Sequence, residues 1–233
     1  IQARGSITVA MEGTWAPWTY HDENDELVGY DVEVAKLIAN ELGVDVNFVE
    51  GEWDGLLAGL DDGRYDIMVN GVGVTPERQE KYDFSAPYAY NKTAVIVRSD
   101  YDEIHSMEDL KGKTIAVQNG STAQEILEKC DISDSITVQA MSTNVEALQQ
   151  LDLGIVDAVF LDSVVADFEI KSSGKDYVSL PDGLEEEEYA IGFRKNDQKL
   201  RDEVQKILSE MKADGKLGEI STKWFGSDIT TVK

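Results

Sequence analysis

Gly63-Arg64-Tyr65-Asp66-Ile67-Met68-Val69-Asn70-Gly71-Val72-Gly73-Val74-Thr75-Pro76-Glu77-Arg78 is the stretch whose reading decides the fold. Gly63 suits the position just past a helix end, where a left-handed residue is needed. Ile67-Met-Val69 reads as a short buried strand. A glycine-rich loop, Asn70 to Gly73, is expected to follow it. Thr75 then suits an N-cap with Pro76 at the first helical position. Helix end, strand, glycine loop and helix start in one run indicate strands alternating with helices, the pattern of a parallel sheet covered by helices.

Working outward, the same alternation continues. Ile7 to Met11 reads as a strand. Tyr30 to Leu42 carries apolar residues at Val32, Val34, Ala35, Leu37, Ile38 and Leu42 before Gly43, which predicts a helix. Val44–Val49 predicts a strand, Trp53–Leu60 a helix and Thr93–Val97 a strand. The plan then restarts. Thr114–Val117, Ile136–Gln139 and Ala158–Leu161 read as strands, interleaved with helices at Thr122–Lys129, Asn144–Leu151 and Ser163–Lys171. After the acidic run Glu185–Glu188 come a strand at Tyr189–Phe193 and helices at Asp197–Asp214 and Lys216–Trp224. Gly154-Ile-Val-Asp157-Ala-Val-Phe echoes Gly63-Arg-Tyr-Asp66-Ile-Met-Val, so two half-chains are expected to share one supersecondary plan.

Composition removes several function classes. The 233 residues hold 21 Lys and Arg against 46 Asp and Glu, a formal charge of −25. A nucleic-acid binder needs a basic face, and none can be assembled here. An anionic membrane surface is disfavoured for the same reason. The apolar runs are too short for a transmembrane helix. The single cysteine, Cys130, allows no intrachain disulfide, and with His21 and His105 it makes no zinc set. Asp22–Glu26 has Leu27 where a calcium loop needs glycine, so it reads as a solvated hairpin-like turn. There is no phosphate loop, and Gly71-Val-Gly73 is no dinucleotide fingerprint. No nucleophile–base pair stands out, and no cofactor is called for. The chain opens Ile-Gln-Ala-Arg-Gly, without a signal peptide, as expected of a cytosolic chain or of one whose targeting segment has been removed.

The unusual residues cluster at strand C-terminal ends, where open α/β sheets bind ligands. Gly71 and Gly73 permit close backbone approach, and Arg78 lies just inside the following helix. Together they suit a carboxylate. Gln118-Asn-Gly-Ser-Thr122 is again strand, glycine and helix start. Asp162 follows a strand and reads equally as a helix N-cap or as an acceptor for an ammonium group. Trp15 and Trp53 sit beside strand ends, as packing residues or as ligand walls.

These residues together resemble the polar amino-acid-binding proteins of ABC importers, the type-3 solute-binding family. The landmarks are Gly13-Thr-Trp-Ala-Pro17, Leu27-Val-Gly-Tyr-Asp31-Val-Glu-Val-Ala35, Gly63-Arg-Tyr-Asp66, Val74-Thr-Pro-Glu-Arg78, Tyr82-Asp-Phe-Ser-Ala-Pro-Tyr88, Asp109-Leu-Lys-Gly-Lys113 and Lys223-Trp-Phe-Gly226. Glu12-Gly-Thr, Trp53-Asp-Gly and the Trp-Phe-Gly end look most like cystine-binding members. The resemblance implies a two-lobed α/β clamshell, each lobe a mostly parallel sheet flanked by helices. Lobe 1 would be 1–89 with 189–233 and lobe 2 would be 90–188, with a two-strand hinge near Tyr90 and Tyr189.

It also implies residue roles. Arg78 would take the α-carboxylate of a free L-amino acid, aided by the Gly73 and Thr122 N–H groups. Asp162 would take the α-ammonium, with the Asn70 or Gly71 carbonyl. Trp15 and Trp53 would wall the side chain, Glu12 would read its far end, and Ser121 and Gln118 would line the second-lobe loop. Gly73 departs from the Ser or Thr of many relatives. The implied protein is a monomeric, extracytoplasmic carrier, free in a periplasm or lipid-anchored, that hands its ligand to ABC membrane subunits. A receptor ectodomain uses the same clamshell, as does a dehydratase-type enzyme, for which Glu12 would be the general acid. Cystine answers Glu12, the two tryptophans and the room at Gly73 together, arginine, lysine and ornithine answer two of these demands, glutamine answers them less well, and acidic amino acids should be rejected.

A hinged clamshell should compact when loaded. Small-angle scattering is expected to give a smaller radius of gyration at saturating ligand, and an unchanged curve would refute hinge closure.

Overall fold

A computed structural model describes residues 1–180 and 186–232. In chain order it contains β1 (Ser6–Met11), β2 (Thr14–Trp15), β3 (Thr19–His21), β4 (Leu27–Val28), α1 (Tyr30–Glu41), β5 (Asp45–Glu50) and α2 (Trp53–Asp61). Next come β6 (Ile67–Gly73), α3 (Pro76–Lys81), β7 (Tyr82–Phe84), β8 (Ala89–Arg98), β9 (Thr114–Gln118), α4 (Thr122–Lys129) and β10 (Thr137–Met141). The rest are α5 (Asn144–Asp152), β11 (Ala158–Asp162), α6 (Ser163–Ser172), β12 (Tyr177–Ser179), β13 (Glu186–Arg194), α7 (Gln198–Ala213) and α8 (Lys216–Phe225). Of the acidic run, Glu185 lies outside the described residues and Glu186 to Glu188 open β13.

The chain divides into two units. The first holds Ile1–Gly13, Pro17–Tyr90 and Glu188–Lys233, and the second holds Thr14–Ala16 and Asn91–Glu187. Thr14–Ala16 thus belongs with the second unit, whereas the sequence places it with the first lobe. The physical reason is that β2 packs against α5 and that Trp15 is hydrogen-bonded to Asp162.

In the first unit the strand order is β5-β1-β6-β13, with β7 on β13. β1 runs parallel to β5 and β6, while β13 is antiparallel to β6 and β7. The second unit has the order β10-β9-β11-β8, with β12 on β8. There β9 is parallel to β10 and β11, and β8 is antiparallel to β11 and β12. Each sheet is therefore parallel on one side and antiparallel on the other. β8 and β13, the strands that contain the unit boundaries, supply the antiparallel pairings. α2 closes the first core over Ala10, Leu56, Leu60, Met68 and Val72. Val95, Ile115, Val117, Leu127 and Phe160 form the second.

The internal echo in the sequence has a structural counterpart. Gly63 and Gly154 adopt φ of 71° and 67°, each just past a helix end. Asp66 Oδ2 accepts from the Thr8 N–H at 2.8 Å, and the Asp66 N–H donates to the Thr8 carbonyl at 2.9 Å. Asp157 repeats this with Thr114, at 2.8 Å for both bonds. Each aspartate thus satisfies both backbone groups of a threonine in the first half of the neighbouring strand. The 22–26 turn is a hairpin tip between β3 and β4, closed by Asp22 Oδ1 accepting from the Asn24 and Glu26 N–H groups.

One correction concerns the glycines. Asn70–Gly73 is not a loop but the last four residues of β6, fully buried and paired to β13 as far as Gly73 opposite Tyr189. β13 extends the sheet beyond Val69, so the strand does not stop where the apolar run does.

Beneath these residues lies a buried relay. The Gly71 N–H donates to Tyr88 Oη at 3.1 Å, and Tyr88 Oη donates to Asp31 Oδ1 at 2.7 Å. Asp31 Oδ2 and Tyr30 Oη have no hydrogen-bond partner. Burial pushes the Asp31 carboxyl up from 3.8 to about 7, against the opposing pull of the Tyr88 and Gly71 donors. Tyr88 and Tyr30 are raised by burial and by the Asp31 charge, and Asp228 adds to the shift of Tyr30. A carboxyl raised on folding contributes its full stability below about pH 4 and loses it as pH rises through about 7. Asp31→Asn is therefore expected to melt above wild type at pH 8 and to lose that advantage at pH 5. The difference should be a few kcal/mol, readable by urea unfolding at both pH values.

Candidate functional site

In each unit the strand order brings the sequence-picked residues to the C-terminal edge of the parallel strands, where carbonyls end and helices begin. In the first unit, β1 leads to Glu12 and β6 ends in Asn70–Gly73. Ala10 stands opposite Met68, so Glu12 comes level with Asn70. The Glu12 N–H donates to Asn70 Oδ1 at 2.7 Å, and the Glu12 carbonyl accepts from Thr19 Oγ1 at 2.8 Å. Glu12 and Asn70 are both buried. The Asn70 side chain is thus the brace of the Glu12 turn.

Arg78 is placed by its own helix. Thr75 N-caps α3, with Oγ1 accepting from the Arg78 N–H at 3.3 Å. The guanidinium turns back over the strand end, where Nη1 donates to the Gly73 carbonyl at 2.8 Å. Its face lies 5.4 Å from the Trp53 ring centroid, a cation–π contact. Arg78 is only 7% exposed, so the rest of the guanidinium fork is held in a shielded place. Trp53 therefore does more than pack: it fixes the plane of the cation. The Gly71 N–H is taken by Tyr88.

In the second unit, Gln118 ends β9 and Asp162 ends β11. Gln118 is buried and donates from Nε2 to the Ser142 carbonyl at 3.2 Å. Ser121 is the N-cap of α4: its Oγ accepts from the Gln124 N–H at 3.1 Å and donates to the Gln118 carbonyl at 2.8 Å. Thr122 opens that helix, so its N–H lies in the first turn, at the positive end of the dipole. The open question about Asp162 resolves against simple capping. It occupies the N-cap position of α6, yet its side chain makes no capping bond. Its Oδ2 accepts from Trp15 Nε1 at 2.9 Å and its Oδ1 from Asn91 Nδ2 at 2.6 Å.

Sequence reading missed Asn91, Tyr88 and Asp31 as site-supporting residues. A signal existed for Asn91. Burial alternates along Ala89 to Thr93, which puts Asn91 and Thr93 on the covered face of β8 between apolar neighbours. Polar residues at buried positions of a strand are kept for a partner. Among the described residues no His, Cys, Asp and Glu cluster could hold a metal ion.

Two α/β units, one with a buried arginine beyond a strand end and the other with an aspartate that accepts from Trp15 and Asn91, fit a solute-binding protein. The chain belongs to the bacterial extracellular solute-binding proteins, family 3, which it matches over residues 7–227. It is 38% identical to the L-cystine-binding protein TcyA of Bacillus subtilis (strain 168), over 99% of this chain and 85% of that one. It is 32% identical to the L-cystine-binding protein TcyJ of Escherichia coli (strain K12), over 99% and 86%. Among solved structures, an ancestral arginine-binding protein bound to glutamine superposes with a TM-score of 0.91. That match is at 38% identity and covers 96% of this chain and 99% of the other. These relatives are named as binding proteins, not enzymes. Among the described residues no helix is long and apolar enough to cross a membrane.

The Asn70 brace gives a direct test. Asn70→Ala leaves the buried Glu12 N–H without its acceptor and should cost about 1–3 kcal/mol in urea unfolding. A wild-type midpoint would show that the brace is dispensable.

Proposed function

We propose that the protein captures a free polar amino acid outside the cytoplasm, with cystine the leading ligand, and passes it to the membrane subunits of an ABC importer. The reading is carried by one observation. Two oppositely charged side chains stand at strand ends, Arg78 donating to the Gly73 carbonyl beside the Trp53 ring and Asp162 accepting from Trp15 and Asn91. Opposite charges of this kind match the two ends of a zwitterion. Arg78 takes the α-carboxylate as a two-pronged donor. Asp162 takes the α-ammonium, and the N–H groups of Gly73 and Thr122 complete the carboxylate's partners.

Glu12 carries the specificity. Its backbone is locked by Asn70 and Thr19, so its carboxylate is presented from a fixed turn. A fixed negative group favours a side chain ending in a donor or a cation and penalises an acidic one. Cystine brings a second ammonium for Glu12 and a sulfur-bearing middle for Trp15 and Trp53. The L-cystine specificity in the names of TcyA and TcyJ supports the same choice. Arginine, lysine and ornithine satisfy Glu12 but lack the second amino-acid end. The protein is proposed to work as a monomer, with no nucleic-acid partner.

A thermal-shift panel of the twenty amino acids with cystine, ornithine and citrulline tests this reading. A true ligand at 100 times its Kd stabilises by about 2.7 kcal/mol. Cystine is expected to lead, aspartate and glutamate to fail, and Glu12→Gln to narrow that gap. Arg78→Ala should abolish binding in a protein that still melts cooperatively. A panel in which glutamate or aspartate outranks cystine and arginine refutes the role of Glu12, and near-wild-type binding by Arg78→Ala refutes that of Arg78.

A further inference from the structure

We infer that Asp31 is a positioning residue for the ligand: acting through Tyr88, it holds the Asn70–Gly71 bulge at the end of β6 and couples amino-acid capture to the loss of its own proton. The inference rests on the amino-acid-binding reading above and adds to it a residue that touches no ligand.

The argument starts from a break in the first sheet. β13 pairs with β6 at Tyr189 opposite Gly73 and Ala190 opposite Val72, and again at Gly192 opposite Met68. Val69, Asn70 and Gly71 therefore face Ile191 alone, a bulge of two extra residues on β6. Both backbone groups of Ile191 are engaged elsewhere. Its N–H donates to Ser85 Oγ at 3.0 Å, and its carbonyl accepts from the Ser85 N–H at 3.1 Å. Gly71 adopts a φ of 49°, in the left-handed region that suits glycine. Its N–H turns to Tyr88 Oη, which in turn donates to Asp31 Oδ1. Tyr88 is itself tied down: its N–H donates to the Tyr189 carbonyl at 2.8 Å, and its carbonyl accepts from the Thr231 N–H at 3.2 Å. The hydroxyl thus takes the place of a ladder partner at the bulge.

Asp31 is wholly buried, and its Oδ2 has no hydrogen-bond partner. An asparagine would offer Tyr88 the same acceptor without a charge to bury, so the carboxyl asks for a use. Burial lifts it to about 7, against the Tyr88 and Gly71 donors, so both of its forms are populated near neutral pH. Tyr30, beside it on α1, is raised by burial and by the charges of Asp31 and Asp228. The elements packed on α1 give their charges to other partners. Lys223 and Lys216 of α8 pair with Glu33 and Glu41, Lys212 of α7 with Asp228, and His21 of β3 with Glu50 at the end of β5. Among the described residues no cation pairs with Asp31, so its ionisation is free to respond to charge arriving at the strand end.

The route runs through one peptide group. A trans peptide is planar and conjugated, so the Gly71 N–H and the Asn70 carbonyl point opposite ways from one unit. Negative charge on Asp31 polarises the Tyr88 hydroxyl, which accepts more strongly from Gly71, and the Asn70 carbonyl gains negative character. Asn70 Oδ1 also braces the Glu12 turn. The reading above sets a cationic end of the ligand beside Glu12, level with Asn70. A cation there favours ionised Asp31, and by reciprocity ionised Asp31 favours the cation. Bound ligand therefore lowers the Asp31 carboxyl, and its proton passes to bulk water. Binding strengthens as pH rises through 7.

The experiment is titration calorimetry on the full chain with L-cystine and L-arginine as probes. Pairs of buffers with unlike ionisation enthalpies count the protons exchanged. A fall of the Asp31 carboxyl on binding from about 7 to about 6 releases about half a proton at pH 6.5. It also weakens binding about sixfold between pH 7.5 and pH 5.5. Asp31→Asn keeps the acceptor for Tyr88 and removes the charge. It is expected to release no proton and to bind within about twofold of one affinity over that range, near the wild-type value at pH 5.5. Tyr88→Phe keeps the ring, cuts the link and should also abolish the release. A merely structural Asp31 would weaken binding equally at both pH values and leave the proton count unchanged, which overturns the proposal. Equal release by wild type and Asp31→Asn assigns the proton to another group, His21 foremost, and overturns it as well. Should Tyr88→Phe fail to fold, wild type and Asp31→Asn decide alone. A wild type that binds neither probe overturns the amino-acid reading and the linkage with it, whereas a wild type that binds without exchanging a proton overturns the linkage alone.

Discussion

Each sheet depends on an aspartate that closes both backbone groups of a threonine on the neighbouring strand. Asp66 does this to Thr8 and Asp157 to Thr114. Parallel strands cannot be registered by a tight turn, since a helix intervenes. A side chain that accepts from an N–H while its own amide donates to the same residue's carbonyl fixes the register at the strand entrance. With the entrance fixed and the strand lengths set, the exits follow. Glu12 comes level with Asn70 in one unit, and Gln118 and Asp162 end neighbouring strands in the other.

The exits are where charge is kept. Arg78, Glu12 and Asp162 all stand at or just beyond strand ends: Arg78 donates to the Gly73 carbonyl beside the Trp53 ring, Asn70 and Thr19 bond the Glu12 backbone, and Asp162 accepts from Trp15 and Asn91. The first unit goes further. Under Gly71 it buries Asp31 with Tyr88 as its donor and leaves Asp31 Oδ2 without a partner, which lifts that carboxyl to about 7. The fold thus accepts a destabilising group beneath the strand that presents the site.

Much of this was legible from residue order alone. The alternation of strands and helices, the glycine that ends each α2- or α5-type helix, the Thr75 cap and the 22–26 turn are local, and local chemistry writes them directly. The family landmarks added the roles proposed for Arg78, Asp162 and Glu12. What eluded sequence reading was pairing. Asn70 to Gly73 look like a loop because glycine and asparagine favour turns. They are strand because β13, more than a hundred residues away, supplies the partner. Trp15 looks like a wall, and its hydrogen bond to Asp162 spans 147 positions of sequence.

The sequence by itself determined the element types, the duplicated plan, the acidic surface and the identity of the charged residues, because each follows from propensity, periodicity or composition over short spans. Only the tertiary structure decided which distant groups bond Arg78 and Asp162, which unit owns Thr14–Ala16, and that Asn91 bonds Asp162 and Tyr88 bonds Asp31. Hydrogen bonds between distant residues depend on register and strand order, and no local pattern in the chain records either.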